Sequence, residues 1–321
     1  MKLSEIRKLY QKFPAQLSPT EPFRIQEQLL DLGIDPGNFY QELEMDSPYV
    51  DTHRDVSFSN ANVQFHSHAF YELICCRNTC GAEYLVGTER YKLQKGDVIF
   101  VPPDISHRPL LPAHMTEPYS RDVLWISVDF MKSIAGLFAN VSPVEFAKPV
   151  LYRTAGTRWE YICDIFRAGV KEAEAEETGW ETAIVANTLM ILTHLNRASK
   201  DLHARPMQAE KPELLDQVLA YVEQHLAEKI TLAEIAHHFF ISESTITQTF
   251  RKKMGVSFYR CVTQRRLIAA KALIERGSAL DFVSEHVGFS DYSSFFRAFK
   301  QEYGISPRQY RKMHNTSPES R

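Results

Sequence analysis

The sequence predicts a multidomain α+β protein, an N-terminal antiparallel β-barrel with flanking helices followed by a C-terminal all-α domain. Three observations predict it. Between residues 60 and 130, FYELICC, AEYLV, RYKLQ, DVIFV and VLWISVDF recur as short segments rich in β-branched and aromatic residues. Gly, Pro and Asp turns separate them, the pattern of an antiparallel sandwich or barrel. From Pro212 onward the apolar residues recur at helical spacing, and Pro212 itself suits a first-turn position. Between the two, residues 199–212 (SKDLHARPMQAEKP) are polar with two prolines, which reads as a linker.

Length and composition agree. A chain of 321 residues exceeds one typical core and suits two domains of roughly 100–200 residues each. Hydrophobic residues make up 44% and charged residues 24%, as in an ordinary soluble globular protein. No apolar run approaches the ~18 residues of a membrane span, so no membrane partner is expected. The N-terminal MKLSEIRKLYQKF lacks a continuous apolar stretch, so export is not expected and the cytoplasm is. Five cysteines in such a chain read as thiols in a reducing compartment. Charge is uneven: residues 1–211 carry 22 basic and 28 acidic side chains, residues 212–321 carry 15 and 12. An acidic body with a mildly basic tail is compatible with a sensor joined to a nucleic-acid reader.

Flanking helices are read on both sides of the strands. Residues 1–45 look helical in short pieces. Trp159, Ile162 and Phe166 share one face, and Ile184, Ile191 and Leu195 mark a second stripe beyond the charged break KEAEAEETG. These stripes have two uses left open, dimerisation or packing on their own sheet.

The C-terminal segment contains an internal repeat, ITLAEIAHHFFISESTITQTFRKKMGVSFYRCV and SALDFVSEHVGFSDYSSFFRAFKQEYGISPRQYRK. Ser242 matches Ser290 at an offset of 48; Phe250, Gly255 and Ser257 match Phe299, Gly304 and Ser306 at 49. Each copy reads as a short helix, a tight turn and a longer helix. Thr231 with Glu234 forms a capping box, and Ser242 caps the longer helix. Ile246, Phe250 and Met254 pack inward in the first copy, as Phe295 and Phe299 do in the second, while Leu280, Val283 and Val287 line the short helix and Gly288 makes the turn. A helix held this way fits the major groove. Arg297 suits bidentate contact with guanine and Gln248 contact with adenine. Arg251, Lys252, Lys253, Lys300, Arg308, Arg311 and Lys312 would neutralise phosphates. The long helix between the copies, Ser257 to Arg276, would hold the readers about one DNA turn apart, ~34 Å.

At these residues the chain resembles the AraC/XylS family of transcription regulators, through GFSDYSSFFRAFKQEYGISPRQYR (Gly288–Arg311) and across residues 212–314. The resemblance implies a seven-helix domain with one reader in each of two successive major grooves of double-stranded DNA. By position, Ser244, Thr247 and Gln248 fall where the family's first unit touches bases, and Tyr292, Ser293, Ser294 and Arg297 where the second does. Phe240 stands where the first turn often has glycine, Ser284 replaces an alanine, and Gln248 stands in place of an arginine. These departures imply weaker or different reading by the first unit.

In the β-rich half, His66, His68 and Glu72 share parity on an extended strand and so one face. His107 follows a second strand that ends at Pro102 and Pro103. The two stretches resemble the cupin motifs, with Asp104 where the second usually has glycine; sensor domains of AraC-type regulators share them. Three imidazoles and a carboxylate suit a divalent metal, an effector-pocket lining, or satisfied core hydrogen bonds, and no cofactor is required. Phe65, Phe70, Tyr84, Phe100 and Trp125 would wall such a pocket. Cys75, Cys76 and Cys80 lie close together; a redox switch is one reading and buried small apolar residues the other.

The expected organisation is an N-terminal helical arm (1–50), a cupin-like barrel sensor (51–135), a helical dimerisation or connector segment (136–200), a linker (201–211), the double helix-turn-helix domain (212–315) and a tail (316–321). The expected function is a sequence-specific regulator, an activator by family analogy and not an enzyme. Its expected partners are DNA, a small-molecule effector (a sugar by that analogy), a second copy of itself and RNA polymerase. The rival readings are a metal-dependent cupin enzyme tethered to a DNA-binding domain and a thiol redox-sensing regulator.

Overall fold

The computed structural model describes residues 44–57, 65–112, 114, 115, 117–137, 148, 150–201, 206, 207 and 209–314. Of the expected helical arm at 1–50 only residues 44–50 are described, with Val50 already in β1, and the expected tail at 316–321 lies entirely outside. Among the described residues, nine strands form two sheets. The larger has the order β1 (Val50–Ser57), β7 (Tyr119–Ser127), β2 (Phe70–Cys76), β5 (Asp97–Val101), β8 (Val150–Arg153), β9 (Pro206–Met207). The smaller has the order β4 (Glu89–Lys92), β3 (Glu83–Val86), β6 (His107–Leu110).

β2 (FYELICC) and β5 (DVIFV) read as nearly unbroken apolar runs because both of their faces are covered. Along β2, Leu73 and Cys75 face one way and join α2 (Ile162–Ala175) and α3 (Trp180–Ser199) in a core with Phe166, Ile184, Ile191 and Leu195. Ile74 and Cys76 face the other way and meet Tyr84, Val86 and Tyr91 of the small sheet. The helical stripes thus pack on their own sheet.

The expected closed barrel is not formed among the described residues. The sheets are bridged by the single pair His66↔His107. Pro102, Pro103 and Pro109 stand around that bridge and have no N–H with which to extend a ladder. The expected boundary at 135 also fails to separate sheet from connector. After α1 (Val128–Leu137), β8 pairs with β5, and β9, inside the expected linker, pairs with β8.

The C-terminal part is all helical: α4 (Leu214–Gln224), α5 (Leu232–His238), α6 (Glu243–Met254), α7 (Phe258–Glu275), α8 (Leu280–His286), α9 (Tyr292–Tyr303) and α10 (Pro307–His314). Its caps follow the sequence. Thr231 and Glu234 form a capping box, Ser242 accepts from Thr245 N, and Ser257 accepts from Arg260 N. In the second copy the cap is Asp291, which accepts from Ser294 N, so the equivalent of Ser242 is Asp291 and not Ser290. Both are good cap types, and Ser290 instead donates to Asp291. Helix α7 serves both copies, giving Phe258, Cys261 and Val262 to one core and Leu267, Ala270 and Ile274 to the other.

Candidate functional site

Helices α6 and α9 present equivalent outer faces. On α6, Ser244, Gln248, Arg251 and Lys252 are exposed, while Ile246, Phe250 and Met254 are buried. The Thr247 hydroxyl donates to Glu243 O, 3.0 Å away in its own helix, and that of Ser244 lies 2.7 Å from Ser242 Oγ. On α9, Tyr292, Ser293, Arg297 and Lys300 are exposed over buried Phe295 and Phe299. Ser294 donates to Asp291, and Arg297 reaches Ser294 Oγ at 3.4 Å. Gln248, Tyr292 and Ser293 are thus left on these outer faces with exposed side chains, as is Arg297 beside Ser294. Lys253, of the expected phosphate set, pairs with Glu213 at the start of α4. Arg308, Arg311 and Lys312 line one surface concavity on α10 with Ser306 and Gln309.

The turns between short and long helices are left-handed at Phe240 (φ 56°) and Gly288 (φ 83°). Asp104, the other residue standing in a glycine position, is left-handed too (φ 64°), and its N–H donates to His68 O. Ser284, in place of alanine, is buried with its hydroxyl satisfied by Asp281 O.

The histidine cluster forms where the two sheets meet. Ligand atoms of His66, Glu72 and His107 all lie within 4.8 Å of one another, and all three residues are buried. Glu72 Oε2 is 3.0 Å from His107 Nε2, which has no aligned hydrogen-bond partner, and 3.4 Å from His68 Nε2. Trp125 Nε1 donates to the other oxygen, Oε1, at 2.9 Å. The Nδ1 atoms of His107 and His68 each lie 2.8 Å from a backbone carbonyl, Ile105 O and Phe70 O. Such contacts orient an imidazole and fix which nitrogen faces the cluster. Burial favours the neutral acid of Glu72, but the imidazoles outweigh it and hold the carboxyl well below its ordinary range. Burial pushes His68 below its ordinary value against the pull of Glu72. Two imidazoles and a carboxylate with fixed orientation fit a divalent first-row metal. His68 stands outside that set and lies 3.4 Å from Glu72 Oε2. Of the aromatics expected around a pocket, Phe70, Tyr84 and Trp125 are near the cluster, whereas Phe100 faces α2 and α3.

Phe65 turns away, into the helical core with Leu215, Ile246 and Phe258. No local sequence pattern marks this contact. Arg265 of α7 lies 4.0 Å from the Phe65 ring centroid and donates to Ser106 Oγ (2.8 Å) and Gly87 O (2.9 Å). Arg108, fully buried, donates to Met254 O at the end of α6 (3.1 Å), and burial pushes its guanidinium down to about 10. Arg90, also buried, meets Asp216 and Glu213 of the α4 start at 3.0 Å each and Glu83 at 2.7 Å. A buried guanidinium needs such partners to offset its lost hydration. The only sequence hint was an arginine within or beside each of two strands.

A family model described as a helix-turn-helix domain matches residues 235–313, which include both long helices. The probable transcriptional regulator LumQ of Photobacterium leiognathi is 41% identical over 104 residues, 32% of this chain; the chain spans 42% of that relative's length. The HTH-type transcriptional activator RhaS of Salmonella paratyphi B is 26% identical over 252 residues, 77% of this chain and 87% of that one.

Over its helix-turn-helix part the chain is similar to AraC-type transcription regulators.

Among solved structures, ToxT of Vibrio cholerae aligns over 84% of this chain and 100% of its own, at 13% identity and a TM-score of 0.34. Among the described residues of the regulator, no helix is long and apolar enough to cross a membrane.

Proposed function

We propose that this regulator is a ligand-responsive transcription activator whose sensor acts on the first reader directly. One observation carries the reading. The segments at 65–66 and 107–108 bridge to each other, and adjacent side chains in each point to opposite sides. His66 and His107 enter the cluster; Phe65 and Arg108 enter the contact with α6 and α7. A ligand that draws the two histidines together must move the two anchors behind them. Such a ligand shifts DNA affinity only if it binds one arrangement better than the other.

His66, Glu72 and His107 are the residues that would hold a divalent metal. A bound cation would supply a positive charge able to take an oxygen donor of a small polar effector such as a sugar. Activation is supported by the RhaS relatives, which are transcriptional activators and match most of this chain. On DNA, α6 and α9 take successive major grooves. Helix α7, 18 residues and about 27 Å long at 1.5 Å per residue, sets their separation. A homodimer, contact with RNA polymerase and a cytoplasmic setting complete the proposal. The chain works as a regulator and not as an enzyme.

The test uses the full chain purified without chelators. Native mass spectrometry with added Zn²⁺ should show one ion per chain, lost in His66→Ala, and Zn²⁺ should alter affinity for selected DNA. Phe65→Ala should keep the ion and lose the alteration. Metal binding that leaves DNA affinity untouched in the wild type would break the coupling; a chain that takes up no ion would remove the metal.

A further inference from the structure

The redox reading of the sequence rested on Cys75, Cys76 and Cys80, but the structure brings together a different pair. Cys75 and Cys76 face opposite sides of β2, into separate cores. Cys76 donates to Asn78 O, and burial pushes its thiol up to about 12. Cys75 points at α2, where its Sγ lies 3.0 Å from Sγ of Cys163, a residue 88 positions away. A disulfide has S–S of about 2.05 Å, so closure needs a movement of roughly 1 Å.

The two thiols are unequal in ways that suit a reaction. Cys75 is buried, 2% exposed, whereas Cys163 is half-buried. Cys163 sits in the first turn of the 14-residue α2, where the helix dipole favours a thiolate. The hydrogen bond from Cys75 adds to this, holding the Cys163 thiol below its ordinary value and Cys75 well above. Thr154 Oγ1 lies 3.9 Å from the Cys163 sulfur on another side.

We infer that Cys75 and Cys163 form a reversible, peroxide-responsive disulfide that staples α2 to β2. This inference stands apart from the metal and effector reading. The Cys163 thiolate attacks one oxygen of hydrogen peroxide; the O–O bond breaks and hydroxide leaves, taking a proton to become water. The Cys75 sulfur, losing its proton, attacks the resulting sulfenic acid; the S–O bond breaks and a second water leaves. Two thiols lose two electrons, and one peroxide becomes two waters. A dithiol reverses the step. The staple would fix the helical cover on the large sheet, three residues along β2 from Glu72.

The experiment takes the reduced full chain, adds a small excess of hydrogen peroxide, blocks remaining thiols with N-ethylmaleimide and maps peptides without reduction. The expected product is a Cys75–Cys163 cross-linked peptide, removed by dithiothreitol. Its formation should raise the thermal midpoint by several degrees, because it closes a long loop. Cys163→Ser, at a half-buried position, should give neither the cross-link nor the rise. Cys163 found as sulfinic acid beside an alkylated Cys75, a cross-link through other cysteines, or five alkylated thiols after treatment would each overturn the inference.

Discussion

The first reader turns through Phe240 and the second through Gly288, and both positions hold a left-handed backbone. Phe240 is 93% exposed. A Cβ at Gly288 would stand 2.1 Å from Leu226 O and 2.8 Å from Arg266 Nη2. Arg266 occupies that space because it donates to Leu226 O (3.1 Å) and Glu228 O (2.6 Å), carbonyls just beyond α4. The same backbone is therefore reached under different constraints. At the first turn a side chain costs conformational strain alone; at the second it meets atoms that tie the two halves of the helical domain together. The readers also differ in attachment. Helix α6 ends against the sensor through Arg108 and Met254, whereas the second unit reaches it through the exposed pair Arg276–Asp104 at 3.4 Å. Helix α9 borders the β-rich half as well, where Glu302 and Tyr303 share a small cleft with Phe65, His66 and Ser67, so the first unit is bonded directly to that half and the second lies beside it.

The comparison can be broken most severely at Gly288. Gly288→Ala should cost about 3 kcal/mol or more, combining a left-handed strain with a backbone collision, and should lower the denaturant midpoint sharply. Little change there would mean that Arg266 is free to move. Next is Arg90→Ala, which leaves Asp216 buried beside the α4 cap without its cation. A loss of about 3 kcal/mol in urea unfolding is expected, and unaltered stability would show that the sensor does not hold α4. Arg297→Ala should weaken specific DNA binding by about 1–3 kcal/mol and relax preference at one base pair, with Gln248→Ala costing less. Equal losses from both, measured by anisotropy at fixed salt, would erase the proposed inequality of the readers. The smallest effect is a gain. Phe240→Gly should remove the strain and stabilise by up to about 1 kcal/mol, seen as a modestly higher thermal midpoint.

The helical half was legible because its rules are local. Capping boxes, turn residues and anchors at helical spacing all lie within a few positions, so α7 and both readers fall where the repeat put them. The single slip, Ser290 for Asp291, arose because two adjacent residues were both competent caps. In the other half, the strands could be read, and so could three members of the histidine cluster, through spacing. The closed barrel could not be tested that way, since pairing between distant strands turns on prolines at 102, 103 and 109. The arginine contacts were invisible for a similar reason: Arg90 meets Asp216 across 126 positions and Arg265 meets Ser106 across 159, with no periodicity to announce them. Cys163 was passed over because its partner sits in another element.

The alternation at 65–66 and 107–108 also bears on how this chain can diverge. Deleting or inserting one residue between Phe65 and Phe70 would exchange the two sides, sending an aromatic ring into the cluster and an imidazole into the helical core. Side chains at these positions can drift separately, but the length of the segment cannot. A lineage that changes its ligand through this site must do so by substitution, keeping the count of residues fixed.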